Sequence, residues 1–235
     1  MIPIRDTVRS RTVPGITILL IAANVWVFAY EVSLGPRVES FVRAWALIPV
    51  EFSRWVSLGG HPGDAWRFVP LISSMFLHGG WAHVIGNMWF LWIFGDNVED
   101  RLGHKRFLIF YLLCGVSAAA AQIYAAPTSA LPVVGASGAV AGVLGAYFVT
   151  YPRSRVLTLV PIFIFPWFVE VPALVFLGLW FLMQFLTGIA ELNVQTAHGA
   201  GVAWWAHVGG FATGIVLCVV MRQPRPRRRV ALTSS

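Results

Sequence analysis

Five side chains in this sequence have the types and spacing to do chemistry together. Ser137 stands in G-A-S-G, between Gly135 and Gly138, and His207 stands in A-H-V-G-G, with Gly210 and Gly214 behind it. His78, His83 and Asn87 lie in one short stretch, F-L-H-G-G-W-A-H-V-I-G-N, from Phe76 to Asn87. A serine hydroxyl is a weak nucleophile until a base takes its proton, and an imidazole does this near neutral pH. Such assistance is worth about 10²–10⁴-fold. Acyl transfer also needs hydrogen-bond donors where the oxyanion develops. His83 and Asn87 are four residues apart and project from one face of a helix. If Ser137 opens a helix, its own N–H has no intrahelical acceptor and makes a third donor. No Asp or Glu falls at the same level, so the pattern predicts a Ser–His dyad. His78 either lines the same site or caps the helix. Binding of zinc by His78, His83, His198 and His207 is the weaker reading, because no H-E-x-x-H is present. No metal or other cofactor is expected.

The elements that must position these groups are membrane helices. The chain is 57% hydrophobic and 11% charged, with a mean hydropathy of +0.73, whereas a soluble domain carries about 25% charged residues. Apolar runs predict an all-α, polytopic protein with six spans. These cover roughly 13–30, 81–94 (with a possible start at Leu71), 107–125, 131–151, 171–189 and 204–221. The second is read as ending at Gly95, before an acidic turn from Asp96 to Asp100. Residues 31–69 form a long, mixed first loop, broken by Pro36, Pro49 and Pro62 into short amphipathic pieces at the interface. Residues 156–166 are apolar, but Pro161 and Pro166 argue against a span. His61, His104 and His198 fall in loops. Cys114 and Cys218 lie inside apolar runs and read as buried small side chains. The division is therefore an N-terminal segment, 1–12, a membrane domain, 13–221, and a basic tail, 222–235.

Charge orients the spans. With six crossings, thirteen of the 17 Lys and Arg fall on one side, at the two ends and in the second and fourth connections. Arg37, Arg43, Arg54 and Arg67 are left in the first loop, where acids match them. This bias puts both termini in the cytoplasm. It also accounts for the net charge of +7 without nucleic acid. Spans two, four and six then run inward, with His83 and Asn87, Ser137 and His207 all near their outer starts. Polar groups inside spans are costly and point to function. Small residues let the serine and histidine helices approach, on faces formed by Ser137, Ala141 and Gly145 and by His207, Gly210 and Gly214. Trp180 and Gln184, at i and i+4 on the fifth span, read either as a gate or as ordinary packing with one polar contact.

Taken jointly, and in this order within a six-span chain, the strings 76–87, G-A-S-G (135–138) and A-H-V-G-G-F-A-T-G (206–214) resemble the rhomboid family of intramembrane serine proteases. The resemblance runs from about Trp66 to Gly214. It implies Ser137 as nucleophile and His207 as base, with His83, Asn87 and the Ser137 N–H as oxyanion donors. It further implies a water-filled cavity open to the extracytoplasmic side, a first loop partly embedded in lipid, and no cofactor. The partners implied are the lipid bilayer and the transmembrane segments of other proteins, cleaved near small, helix-destabilising residues. A bacterial inner or plasma membrane is the expected location. A relative that binds membrane helices without cleaving them is the alternative. Trp66-Arg67 matches a Trp-Arg pair common in the first loop of the family. One turn after the serine, where some members carry an aromatic that stacks on the histidine, this chain has Ala141.

Overall fold

The computed structural model describes residues 1–162, 165–193 and 202–221. The chain opens with strand β1, Ile2–Asp6, followed by helix α1, Gly15–Ser33. The N-terminus of α1 is closed by a carboxylate from elsewhere in the bundle. Glu99 accepts hydrogen bonds from the N–H of Ile16 (2.9 Å) and of Thr17 (2.8 Å) and from Thr17 Oγ1 (2.7 Å). Those amides have no acceptor within α1, and the helix dipole favours an anion beside them.

The first loop folds as short pieces, four of which carry a proline in their first two positions. They are a 3-10 turn at Gly35–Arg37, α2 (Val38–Trp45), α3 (Pro49–Ser57), a second 3-10 segment at Pro62–Phe68, α4 (Pro70–Ser73) and a last 3-10 turn at Ser74–Phe76. Proline at a first helical position loses no internal hydrogen bond and presets φ. Arg67 lies over the Trp66 ring, 4.5 Å from its centroid.

The remaining helices build the bundle. They are α5 (Trp81–Leu102), α6 (His104–Ala125), α7 (Ser137–Thr150), α8 (Ala173–Asn193) and α9 (Trp204–Met221). Among the described residues, four helices are long and apolar enough to cross a membrane, namely α1, α6, α8 and α9. A fifth crossing is made if Gly63–Phe76 and α5, bent by 83° to one another, act as one span. The chain is thus a mostly helical, multi-pass membrane protein. Helix α7 is the centre, with every residue from Gly138 to Tyr147 buried.

Three expectations change. The serine span of 131–151 becomes a helix only at Ser137, because Gly135 turns the chain at φ +117° and Leu47 pairs with Val133 in an isolated antiparallel bridge. Gly95 does not end α5; the helix runs through the acidic residues to Leu102, where Gly103 (φ +81°) turns it into α6. The fold is also not all-α. Residues 156–162 and 165–166 lie in two antiparallel strands, β2 (Arg155–Ile162) and β3 (Phe165–Pro172), and β1 adds antiparallel to β2. Pro161 faces Pro166 at one end of the β2–β3 ladder, beyond the residues that pair with β1, so neither proline removes a hydrogen bond to β1.

Glycine sets the distance between α7 and α9. A Cβ built at Gly210 would collide with the carbonyl oxygen of Gly138, one at Gly214 with that of Gly142, and one at Gly145 with that of Phe211. The α7 face in contact therefore runs through Gly138, Gly142 and Gly145. That is one residue round from the Ser137–Ala141 row expected from spacing, and it leaves Ser137 free to point aside.

Candidate active site

The starts of α5, α7 and α9 meet beside a cavity of about 550 Å³, whose walls include His83, Asn87, Ser137, Trp180, Gln184 and His207. Ser137 is the first residue of α7. Its Oγ lies 2.8 Å from Nε2 of His207, which sits in the first turn of α9 and is 8% exposed. The first turn of α9 is itself held from α6, where Gln122 Oε1 accepts the Ala206 N–H at 3.2 Å.

His83 and Asn87 face the backbone just ahead of the serine. A Cβ at Gly135 would fall 2.5 Å from His83 Nε2 and 3.5 Å from Asn87 Nδ2, so only glycine lets this turn pass under both side chains. The Gly79 N–H donates to His83 Nδ1 at 3.4 Å. With Nδ1 accepting, the ring proton of neutral His83 is on Nε2, on the cavity side. One amide hydrogen of Asn87 is taken by Nε2 of His78, at 3.0 Å, and the other is left for the cavity. The Ser137 N–H, at the first helical position, adds a third donor.

His78 is not among the residues lining the cavity. It is buried behind Asn87, its ring is edge-on to His83 with centroids 5.1 Å apart, and its N–H donates to Glu31 at 3.2 Å. Sequence reasoning placed no acid at this level. The Glu31 carboxylate, from the end of α1, is there, but it serves His78 and not His207.

The partner of His207 is a residue that spacing left ambiguous. Gln184 of α8, 3% exposed, places Oε1 2.6 Å from His207 Nδ1. Two indoles flank the imidazole: Trp180, tilted at 37° with centroids 6.0 Å apart, and Trp204, edge-on at 6.1 Å. They supply the aromatic wall that Ala141, fully buried against the bundle, does not. The i, i+4 pair Trp180 and Gln184 was the available signal; what it lacked was the neighbour it faced.

His61 and His104 are exposed, as loop positions suggest, but His104 opens α6 and its Nδ1 lies 2.5 Å from Glu99 Oε1. His198 and the basic tail lie outside the described residues.

A family model described as the rhomboid domain matches residues 62–224. The chain belongs to the rhomboid family. Among its relatives, it is 29% identical over 157 residues to rhomboid protein 1, mitochondrial, of Saccharomyces cerevisiae, which covers 63% of this chain and 40% of that one. It is 32% identical over 159 residues to the human presenilin-associated rhomboid-like protein, mitochondrial, covering 66% of this chain and 37% of the relative. The rhomboid protease GluP of Bacillus subtilis is 40% identical over 84 residues, 36% of this chain and 15% of that protein. The chain thus matches two fifths or less of the length of these relatives. Two of the three names are mitochondrial, which gives the expected bacterial membrane no support.

Proposed function

We propose that this rhomboid is an intramembrane serine endopeptidase that hydrolyses peptide bonds in membrane-spanning segments of other proteins. The observation that carries the reading is one cavity in which Ser137 Oγ lies 2.8 Å from His207 Nε2 and which His83 and Asn87 also line.

In this reading His207 Nε2 takes the Ser137 proton as Oγ bonds to the scissile carbonyl carbon. The oxyanion so formed is held by His83 Nε2–H, Asn87 Nδ2–H and the Ser137 N–H. When the intermediate collapses, the C–N bond breaks and the imidazolium gives its proton to the leaving amine. Water then enters from the cavity, loses a proton to His207 and attacks the acyl-enzyme carbon. The C–Oγ bond breaks and serine recovers its proton. Bundle interiors of low dielectric strengthen the donors' hold on developing charge.

The topology that suits this chemistry has six crossings, with α7 and the bent α5 span included, both termini on the basic side and the cavity opening on the other. With 14 residues, α7 rises about 21 Å, short of a hydrocarbon core of about 30 Å. A short central helix wrapped in longer ones leaves its first residue recessed below the lipid surface, within reach of water. Intact donors, base and nucleophile favour cleavage over mere binding of helices.

The test is hydrolysis of a transmembrane-helix substrate in proteoliposomes by Ser137→Ala and His207→Ala. Both variants lose cleavage in this account; retention in either overturns the assignment.

A further inference from the structure

We propose that Gln184 is a positioning residue for His207, taking the place that a carboxylate holds in a Ser–His–acid triad. The inference rests on the protease reading above and deepens it. Gln184 Oε1 is an acceptor only, so its 2.6 Å contact with Nδ1 puts the proton of neutral His207 on Nδ1. Nε2 is then the lone-pair nitrogen, and it is the one that faces Ser137 Oγ at 2.8 Å. The opposite tautomer would set an Nε2–H against the serine and leave it without a base.

Three features make this more than a polar contact between α8 and α9. First, the imidazole has no ring from α7 to rest on, since Ala141 follows the serine by one turn. Trp180, one turn before Gln184 on the same helix, and Trp204 flank it instead. The orientation of the base is thus fixed largely from α8. Second, Gln184 is almost wholly buried, and a buried carboxamide is placed only where its hydrogen bonds are met. Third, an amide orients the ring without adding a charge. A carboxylate there would be costly to desolvate, the more so inside a membrane bundle. Among the described residues His83 is the other titratable side chain facing the cavity, and no carboxylate is bonded to either ring nitrogen of His207.

A purely structural hydrogen bond between α8 and α9 would look similar in a static structure, and kinetics separates the two. Wild type, Gln184→Leu and Gln184→Glu are compared in proteoliposomes for kcat and KM across pH, with thermal stability measured on the same samples and Ser137→Ala alongside. Gln184→Leu should lose about 10²-fold in kcat, the lower end of general-base assistance, with KM little changed. Gln184→Glu keeps an acceptor at Nδ1 and adds a charge that favours the imidazolium, so activity should persist. The acidic limb of its pH profile should move up by about one unit or more. In ¹⁵N-histidine spectra, His207 should be the Nδ1–H tautomer in wild type and lose that preference in Gln184→Leu. Wild-type kcat in Gln184→Leu, or a loss explained by reduced thermal stability with the tautomer unchanged, overturns the inference and leaves the Ser137–His207 reading standing. Cleavage by Ser137→Ala would overturn both.

Discussion

Helix α7 carries a polar cluster at each end, and the two differ in what their hydrogen bonds leave over. At its far end Tyr147 donates to Asp6 Oδ2 at 2.5 Å, with Ser154 Oγ 3.0 Å away. Asn97 Nδ2 donates to the same carboxylate at 2.9 Å, and the Tyr151 hydroxyl donates to the Asn97 carbonyl at 3.1 Å. This cluster ties β1 to the bundle, much as the Glu99 carboxylate ties α1 to α5. At the near end Ser137 and His207 satisfy one another, but His83 Nε2–H and one Asn87 amide hydrogen point into a cavity with no acceptor among the described residues. Polar groups in an apolar bundle are expensive. Where their donors and acceptors match, they fasten helices together. Where donors converge on open space beside an activated hydroxyl, they await a substrate oxygen.

The sharpest way to break this contrast is to part the helices that create the open end. Gly210→Val would drive a side chain into the Gly138 carbonyl, pushing His207 away from Ser137. Loss of the base should cost about 10²–10⁴-fold in kcat/KM. Near wild-type turnover would show that close approach of α7 and α9 is not what brings the pair together.

Next in size are the unspent donors. His83→Ala and Asn87→Ala should each lower kcat by about 10²–10³-fold, the effect of deleting one oxyanion donor, with KM nearly unchanged; His83→Ala should keep its thermal stability, whereas Asn87→Ala also strands the buried His78 Nε2 and should lower Tm. A fall in stability without a fall in kcat would move the near end into the same class as the far end.

The closed clusters should behave the other way. Glu99→Leu strands the amides of Ile16 and Thr17, and buried donors left unmet cost about 1–3 kcal/mol. The expected result is a lower Tm in a scan of purified protein, with the turnover of the folded fraction intact. Reduced turnover at unchanged Tm would contradict it.

The smallest effect concerns pH. Burial, with a contribution from the Asp96 charge, pushes the Asp6 carboxyl up to about 6 against the opposing hydrogen bond from Tyr147. A carboxyl raised on folding stabilises the protein in its protonated form. That contribution is complete below the ordinary carboxylate range and lost as pH rises through about 6. Asp6→Asn keeps an oxygen for Tyr147 and removes the titration. Its Tm relative to wild type should therefore rise between pH 5 and pH 8, by a few degrees at most. A difference independent of pH would refute the assignment.

Much of this arrangement was legible in the residues. The apolar runs marked the helices, and the glycines after His207 marked the face that meets α7. Other features were hidden for physical reasons. Helix α7 is buried on all sides, so its hydrophobicity has no phase from which to tell the row Gly138–Gly142–Gly145 from Ser137–Ala141–Gly145. Residues 96–100 read as a turn because the partners of Glu99 and Asn97, the α1 amides and Asp6, are some 80 to 90 residues away in the chain. The sheet depends on the pairing of β1 with a strand about 150 residues later, which no local pattern reports. Gln184 was visible as one polar residue on an apolar helix, but its acceptor role appears only once α8 and α9 are set side by side.

The central claim is that Ser137 is a nucleophile made reactive by His207. Reaction of the protein in proteoliposomes with a fluorophosphonate, followed by mass-spectrometric mapping of the adduct, tests it most directly. The account predicts a single adduct on Ser137 in wild type that disappears in His207→Ala. No adduct in wild type, an adduct on another residue, or labelling of His207→Ala at the wild-type rate would contradict it.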